Sequence, residues 1–268
     1  MEFKTYKPAR LNNLVISIYE RKVPGPARVQ FLPDGSVTLI FNIGQKIKSA
    51  SGEKVDSKVF NPTETFCFLS GLHTKPLYFD MGGLHVVGLI LHPAAMRAFF
   101  QMPTEEVKDL AIEGDFIQEL DYIEDHIRSL STFRERAFWL ENHFYEKLNR
   151  VEDLPLAMKL NRTVEKMKQD TLQGKRLDIE AYSGYSKMHT HRIFKDWLGL
   201  TPGKLMRLEQ FLHSIDLIHQ TGLSLTQIGF ECGFYDQAHF IRTFDEFARM
   251  TPGQYKSRST GLPRVLPW

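Results

Sequence analysis

The sequence predicts an α+β fold: a β-rich, barrel-like N-terminal domain with trailing helices, then an all-helical domain holding two helix-turn-helix units. Three observations carry that prediction. Short β-branched and aromatic runs ended by Gly or Pro fill the first hundred residues, the apolar period turns helical after His92, and a phrase near residue 192 recurs fifty residues later.

A chain of 268 residues with 42% hydrophobic and 25% charged residues has the composition of a globular protein, and its length fits two domains. No run of about 18 apolar residues is present to cross a bilayer, so no membrane partner is expected. The segment MEFKTYKPAR lacks the apolar centre of a signal peptide, and Cys67 and Cys232 lie in separate predicted domains. A reduced, cytoplasmic protein follows. The net charge of +2, with its basic excess in the second half, permits a nucleic-acid partner without requiring one.

Along the chain, LPDGSVTLIFNIG sets the turn residues Pro33, Asp34 and Gly35 ahead of a strand, and TFCFLSG and HVVGLILH are two further strand-like runs. Pro93 suits the first position of a helix over HPAAMRAFF. Phe116, Leu120, Ile123, Ile127 and Leu130 then recur at helical spacing, as do Phe133, Ala137, Leu140, Phe144 and Leu148. Either these two stripes pack on the core of the β-domain, or one pairs with its copy in a homodimer. The pattern restarts at VEDLPLAM, where Asp153 can cap and Pro155 suits the first turn, and runs through Leu156, Leu160, Val164 and Met167 to Gly174. The division is therefore 1–151 for a sensory, effector or dimerisation domain, 152–258 for the double helix-turn-helix domain, and 259–268 for a loosely ordered tail.

The repeat is the most informative feature. RIFKDWLGLTPGKL and RTFDEFARMTPGQY align with Tyr185 on Tyr235, His189 on His239, Arg192 on Arg242 and Phe194 on Phe244, and with Thr-Pro-Gly at 201–203 on 251–253. Each copy follows a short helical segment and a turn, LDIEAYSGYS and LTQIGFECGFYD, in which Gly184 and Gly233 mark the turns and Ser186 and Asp236 can cap the next helix. Thr190, Ile193, Phe194 and Trp197 form one face of the first such helix, and Phe240, Phe244 and Phe247 the matching face of the second. The opposite faces read Met188, His191, Arg192, Lys195 and Ala238, Ile241, Arg242, Asp245. An apolar back with an arginine-bearing front suits a helix lying in a major groove, where arginine can bond bidentately to guanine. Residues 202–220 form the connecting helix, with Leu205, Leu208, Leu212, Ile215 and Ile218 or His219 inward. Its length of about 28 Å approaches the roughly 34 Å between successive major-groove faces.

GYSKMHTHRIFKDWLGLTPGKL and LSLTQIGFECGFYDQAHFIRTF…TPGQY resemble the AraC/XylS family of bacterial transcription regulators, over roughly residues 155–258. The resemblance implies binding of double-stranded promoter DNA, with base contacts at Met188, His191 and Arg192 in the first unit and at Gln237, Ala238, Ile241 and Arg242 in the second. Ser186, Lys187 and Lys195 complete the implied interface. It also implies RNA polymerase as a partner if the protein activates. Three departures stand out: Glu180 followed by Ala181 where the family places a small residue, Arg249 where the first copy has Gly199, and Asp245 in the place of Lys195. The stretches PDGSVTLIFNIG, SGLHTKP and GLILHPAAMRAFF resemble an uncharacterised domain found ahead of such DNA-binding domains, which implies a small-molecule effector or a partner at the N-terminal half.

Two rival readings remain. One is a partner-binding module that keeps the fold without binding DNA, motivated by Asp245 and the mild charge. The other is a cupin-like metalloenzyme, motivated by His73, His85 and His92 in the β-rich half. No His-x-His pair occurs there, and His189 and His191, two apart on a helix, point in different directions. Cys67 reads as a small buried hydrophobe. No catalysed reaction, resident metal or cofactor is expected.

Overall fold

A computed structural model describes residues 2–11, 14–25, 27–44, 67–80, 83–113 and 120–267. The chain begins with strands β1 (Glu2–Tyr6), β2 (Val15–Lys22), β3 (Arg28–Phe31), β4 (Val37–Asn42), β5 (Cys67–Ser70), β6 (Leu77–Asp80) and β7 (His85–Leu91). Helix α1 (Ala94–Phe100), a 3-10 turn (Thr104–Val107) and strand β8 (Ala111–Glu113) follow, then α2 (Leu120–Ser129) and α3 (Phe133–Leu148). The second half is α4 (Leu154–Leu172), α5 (Ile179–Ser183), α6 (Lys187–Leu198), α7 (Pro202–Gln220), α8 (Leu225–Glu231), α9 (Gln237–Ala248), α10 (Pro252–Arg258) and a closing strand β9 (Val265–Pro267).

Two antiparallel sheets form the β-rich half, one in the order β1-β2-β7-β4-β5-β8 and the other in the order β6-β3-β9. Period-two alternation gives the larger sheet two different faces. Val37, Leu39 and Phe41 of β4 are fully buried in the main core, while Thr38 and Ile40 turn to a cavity of about 260 Å³ between the sheets. Gly88 of β7 lies opposite Tyr19 of β2 because a Cβ there would stand 2.4 Å from the tyrosine ring. The other face packs on α1, α2 and α3. Arg136 of α3 fixes that layer by pairing with Glu20 of β2 at 2.8 Å and donating to the carbonyls of Ile127 and Leu130.

Both helical stripes lie within the chain's own core. Leu120, Ile123, Ile127, Ala137, Leu140, Phe144 and Leu148 are buried, which leaves neither stripe free for a second copy. Phe116 lies outside the described residues. Asp153 stands at the start of α4 as expected, but its side chain makes no capping hydrogen bond. Helix α7 spans the residues predicted for it, and Ile218, not His219, is the buried one of the alternatives.

The C-terminal tail corrects an expectation. It is ordered: β9 joins the N-terminal sheet, with Phe31 opposite Val265, Gln30 opposite Leu266 and Val29 opposite Pro267. A three-residue strand carries too little periodicity to be seen in sequence, and its pairing partner lies more than two hundred residues away. One continuous hydrophobic cluster accordingly runs from Leu11 to Leu266 through both halves.

Candidate nucleic-acid interface

Local chemistry builds each reading helix. Asp178 caps α5 by accepting from the Ala181 amide, Gly184 ends it at φ 73°, and the Ser186 hydroxyl accepts from the His189 amide to start α6. In the second unit Ser224 and Gln227 form a capping box on α8, and Asp236 accepts from the His239 amide at 2.6 Å to start α9. Gly233 between them takes φ 71°, and a Cβ there would stand 2.2 Å from the carbonyl oxygen of Thr171 at the end of α4. Only glycine fits that crossing.

The backs of both helices are buried as the repeat predicts, except that Ile193 is half-buried. Thr190, Phe194 and Trp197 of α6 and Phe240, Phe244 and Phe247 of α9 all lie inside the core. Phe211 of α7 meets Phe244 and Phe247 at ring-centroid distances of 5.0 and 5.3 Å, and the Gln210 amide donates to the Cys232 carbonyl at 2.9 Å. The connecting helix thereby grips the second unit from behind.

On the front of α6, Ser186, Lys187, Met188, Arg192 and Lys195 are exposed and His191 is half-buried; on α9, Gln237, Ala238, Ile241, Arg242 and Asp245 are exposed. Met188 is 85% exposed, an unusual state for methionine that costs apolar hydration unless another surface covers it. The structure thus brings each predicted set together on one helix face. The charges differ in availability. Lys195 Nζ stands 3.0 Å from Glu105 Oε1 on the 3-10 turn, whereas Arg192 meets only the His189 ring at 3.2 Å, and Arg242 has no carboxylate partner among the described residues.

Residues 179–258 match the family of the helix-turn-helix domain, and residues 4–113 match a domain of unknown function, DUF6597. The chain is 34% identical over 96 residues to the probable transcription factor PqrA of Proteus vulgaris, covering 36% of this chain and 73% of that protein. It belongs to the AraC/XylS family of transcription regulators. A second relative, the transcriptional activator AarP of Providencia stuartii, is 27% identical over 89 residues, covering 33% of this chain and 66% of its own length. Among solved structures, a transcriptional regulator with an AraC-type DNA-binding domain from Chromobacterium violaceum is 29% identical, covering 37% of this chain and 90% of that one at a TM-score of 0.34. ToxT of Vibrio cholerae O395 is 13% identical over 97% of this chain and 98% of its own, at a TM-score of 0.42.

Two of the three departures of this AraC/XylS regulator from its family, Glu180 and Arg249, have structural reasons. Glu180 is not under α6: it is exposed, and its carboxylate accepts from the Lys187 amide at 2.8 Å, adding a second cap. The small residue under α6 is Ser183, buried, with its hydroxyl 2.7 Å from that of Thr190. In the second unit Gly229, four residues before Gly233 as Glu180 is before Gly184, does lie against α9, at Phe240. Arg249 takes φ 55° at the end of α9, the left-handed conformation that Gly199 takes at the end of α6 with φ 72°.

The repeat marked Tyr185 and Tyr235 but not their place. Both sit immediately before a helix cap; Tyr235 is 89% exposed, and Lys159 Nζ lies 4.4 Å from the ring centroid of Tyr185. Nothing in the sequence pointed to the contacts made on α6 by the N-terminal half. Thr104 Oγ1 is 2.9 Å from the carbonyl oxygens of both Pro93 and Trp197, and Arg97 Nε is 3.6 Å from Asp196.

The histidines weighed as metal ligands have separate tasks. His73 bonds Ser70 Oγ at 2.8 Å and is held below its ordinary pKa by burial; His85 faces Glu20 at 3.6 Å; His92 Nδ1 accepts from the Ala94 amide, and burial lowers its pKa to about 4. Among the described residues no three metal-type ligands converge. Cys67 and Cys232 are free and buried, and burial raises the Cys232 pKa to about 12, which keeps it an unreactive thiol. No helix among the described residues is long and apolar enough to cross a membrane.

Proposed function

We infer that this regulator reads promoter DNA with α6 and α9. Met188, His191 and Arg192 touch bases in one major groove, and Gln237, Ala238, Ile241 and Arg242 in the next. Ser186 and Lys187 at the start of α6, and Lys195 at its far end, hold phosphates. The observation that carries this reading is the pair of arginines: each copy exposes one guanidinium, at the same helical position, with no carboxylate partner among the described residues. An unpaired arginine on a capped, rigid helix keeps its donors for bidentate bonding to guanine.

In this reading residues 152–258 bind DNA and residues 1–151 take a small effector or pair two copies into a homodimer. An activator of this kind would also meet RNA polymerase. The protein acts in the cytoplasm and catalyses no reaction. Selection of bound sites from random duplex DNA by the full chain tests the reading, and recovery of one site holding two half-elements about a helical turn apart supports it. No enrichment, or affinity that does not fall with salt, favours the partner-binding module, for which the Lys195–Glu105 pair and the exposed Asp245, without a cation partner among the described residues, speak.

A further inference from the structure

The cavity between the two sheets is walled on one side by the end of the DNA-reading half. Pro263, Arg264 and Val265 line it, and the Leu32 amide donates to the Arg264 carbonyl at 2.8 Å where β9 enters the sheet. Leu266, the next residue of that strand, turns the other way and is fully buried in the main core.

The rest of the lining is mostly apolar and holds one uncommitted cation. Arg21 of β2 has its guanidinium 5.1 Å from the ring of Phe3 and 5.7 Å from those of Tyr19 and Phe31. It has no carboxylate partner among the described residues. Rings at these distances attract the guanidinium charge without accepting its N–H groups, and the buried Nε finds no acceptor among the described residues. Arg264 also leaves its buried Nε without an acceptor among the described residues, but its charge is paired, and the remaining ionisable groups lining the cavity are committed. Asp34 accepts from the amide and hydroxyl of Ser36, burial keeps His73 neutral on Ser70, Arg264 pairs with Asp216, and burial raises the Tyr19 pKa to about 12, so that it stays a phenol.

Arg264 is also tied to the second reading helix. Its Nη2 lies 2.6 Å from Asp216 of α7, and its backbone amide donates to the Tyr255 hydroxyl at 3.2 Å. That hydroxyl lies 2.7 Å from His219 Nε2, and the fully buried Tyr255 ring packs 5.6 Å from Phe244 on the back of α9. Arg264 sits at φ 64°, a conformation non-glycine residues hold only where their surroundings enforce it.

We propose that this cavity binds a compact, largely apolar molecule bearing one anionic group, held by Arg21, and that the C-terminal segment 259–267 carries its occupancy to α9 through Arg264 and Tyr255. The proposal rests on the reading of the protein as an effector-controlled regulator and names the ligand class and the connecting element. The volume of about 260 Å³ lies near the lower end of small-molecule sites, which excludes large polar effectors.

Indole-3-acetate and its neutral counterpart indole-3-acetamide, added to the full chain, separate the steps. The acetate is expected to bind once per chain, and Arg21→Gln to weaken it about tenfold while changing the amide by less than about twofold, since a charge-assisted bond is lost only for the anion. Hydrogen exchange read without DNA is expected to slow at the amides of Arg264–Leu266 when the acetate binds. Duplex affinity is expected to shift severalfold with the acetate, and Tyr255→Phe to keep acetate binding while abolishing that shift. Equal losses for both probes in Arg21→Gln, no binding of either, unchanged exchange at 264–266, or a shift that survives Tyr255→Phe overturns the proposal. A chain that binds the acetate and protects 264–266 but selects no duplex leaves this site standing and overturns the regulator reading instead.

Discussion

Gly199 ends the first reading helix directly against Thr104 of the N-terminal half: a Cβ at 199 would stand 3.1 Å from Thr104 Cγ2 and 3.2 Å from Leu72 Cδ2. Position 249, its counterpart in the repeat, takes the same left-handed turn but is exposed, so an arginine fits there at the cost of its backbone conformation alone. The contact of the N-terminal half with Gly199 thus explains why the two copies diverge here. Gly199→Ala is expected to cost about 1–3 kcal/mol from the left-handed turn and the crowding together. Arg249→Gly should fall within about 1 kcal/mol of the parent, on the stabilising side. Urea unfolding of both variants checks this; equal losses would mean that Thr104 moves aside.

Arg192→Ala and Arg242→Ala are each expected to cost about 1–3 kcal/mol on the selected site and to relax preference at different base pairs. Binding profiles over single-base variants of the site measure it. Uniform weakening across all sequences would make these residues phosphate contacts.

Much of the architecture was legible because it is local. Caps, turns and the fifty-residue repeat fix α5–α10, and short β-branched or apolar runs ended by Gly or Pro mark β4, β5 and β7. The candidate face was legible for the same reason, since one helical turn decides what shares a side. What stayed hidden is long-range. Lys195 reads only as part of the exposed front of α6 because Glu105, its partner, is ninety residues away on a turn with no sequence signature. The tail read as loose because β9 has three residues and finds its edge on β3. Arg21 is hidden in the sequence because it falls in the charged run Glu20-Arg21-Lys22, which reads as solvated until Phe3, Tyr19 and Phe31 are seen around it.

His92 links stability to pH. Its pKa is about 4 in the fold against 6.5 when free, so the unfolded chain binds the extra proton between those values. The contribution is complete above pH 6.5 and is lost as pH falls towards 4, an effect on the order of 1 kcal/mol or more. His92→Asn keeps an acceptor for the Ala94 amide without titrating. Urea unfolding at pH 7.5 and 5 is expected to show a smaller loss on acidification for the variant than for the parent; equal losses would assign the dependence to other groups.

Residues 152–268 are expected to fold without the first half, because Phe211, Phe240, Phe244, Phe247 and Tyr255 form a buried cluster that draws on α7, α9 and α10 alone. The amides of 264–266, deprived of β3, should lose protection in hydrogen exchange while those of α7 and α9 keep theirs. A molten fragment beside an intact full chain would show that α1 and the 3-10 turn are part of one cooperative unit with α6.

The Lys195–Glu105 pair, and Asp245 with no cation partner among the described residues, predict distinct salt behaviour in the two units. The pair is partly exposed on both sides and contributes about 0–1 kcal/mol, so Glu105→Gln should leave the fold intact while freeing one ammonium at the end of α6. Duplex affinity should then rise, and the salt slope should steepen by about one contact. On α9, Asp245→Asn removes a repulsion without adding a cation and should tighten binding at nearly constant slope, whereas Asp245→Lys should steepen it by about one. Affinities for the selected site at several salt concentrations measure all three. A slope that steepens for Asp245→Lys but not for Glu105→Gln would mean that Lys195 never reaches a phosphate and serves only to seat the N-terminal half on α6. If Asp245→Asn weakens binding at a single base pair, the aspartate reads a cytosine amine and the second helix contributes more to specificity than its charges alone suggest.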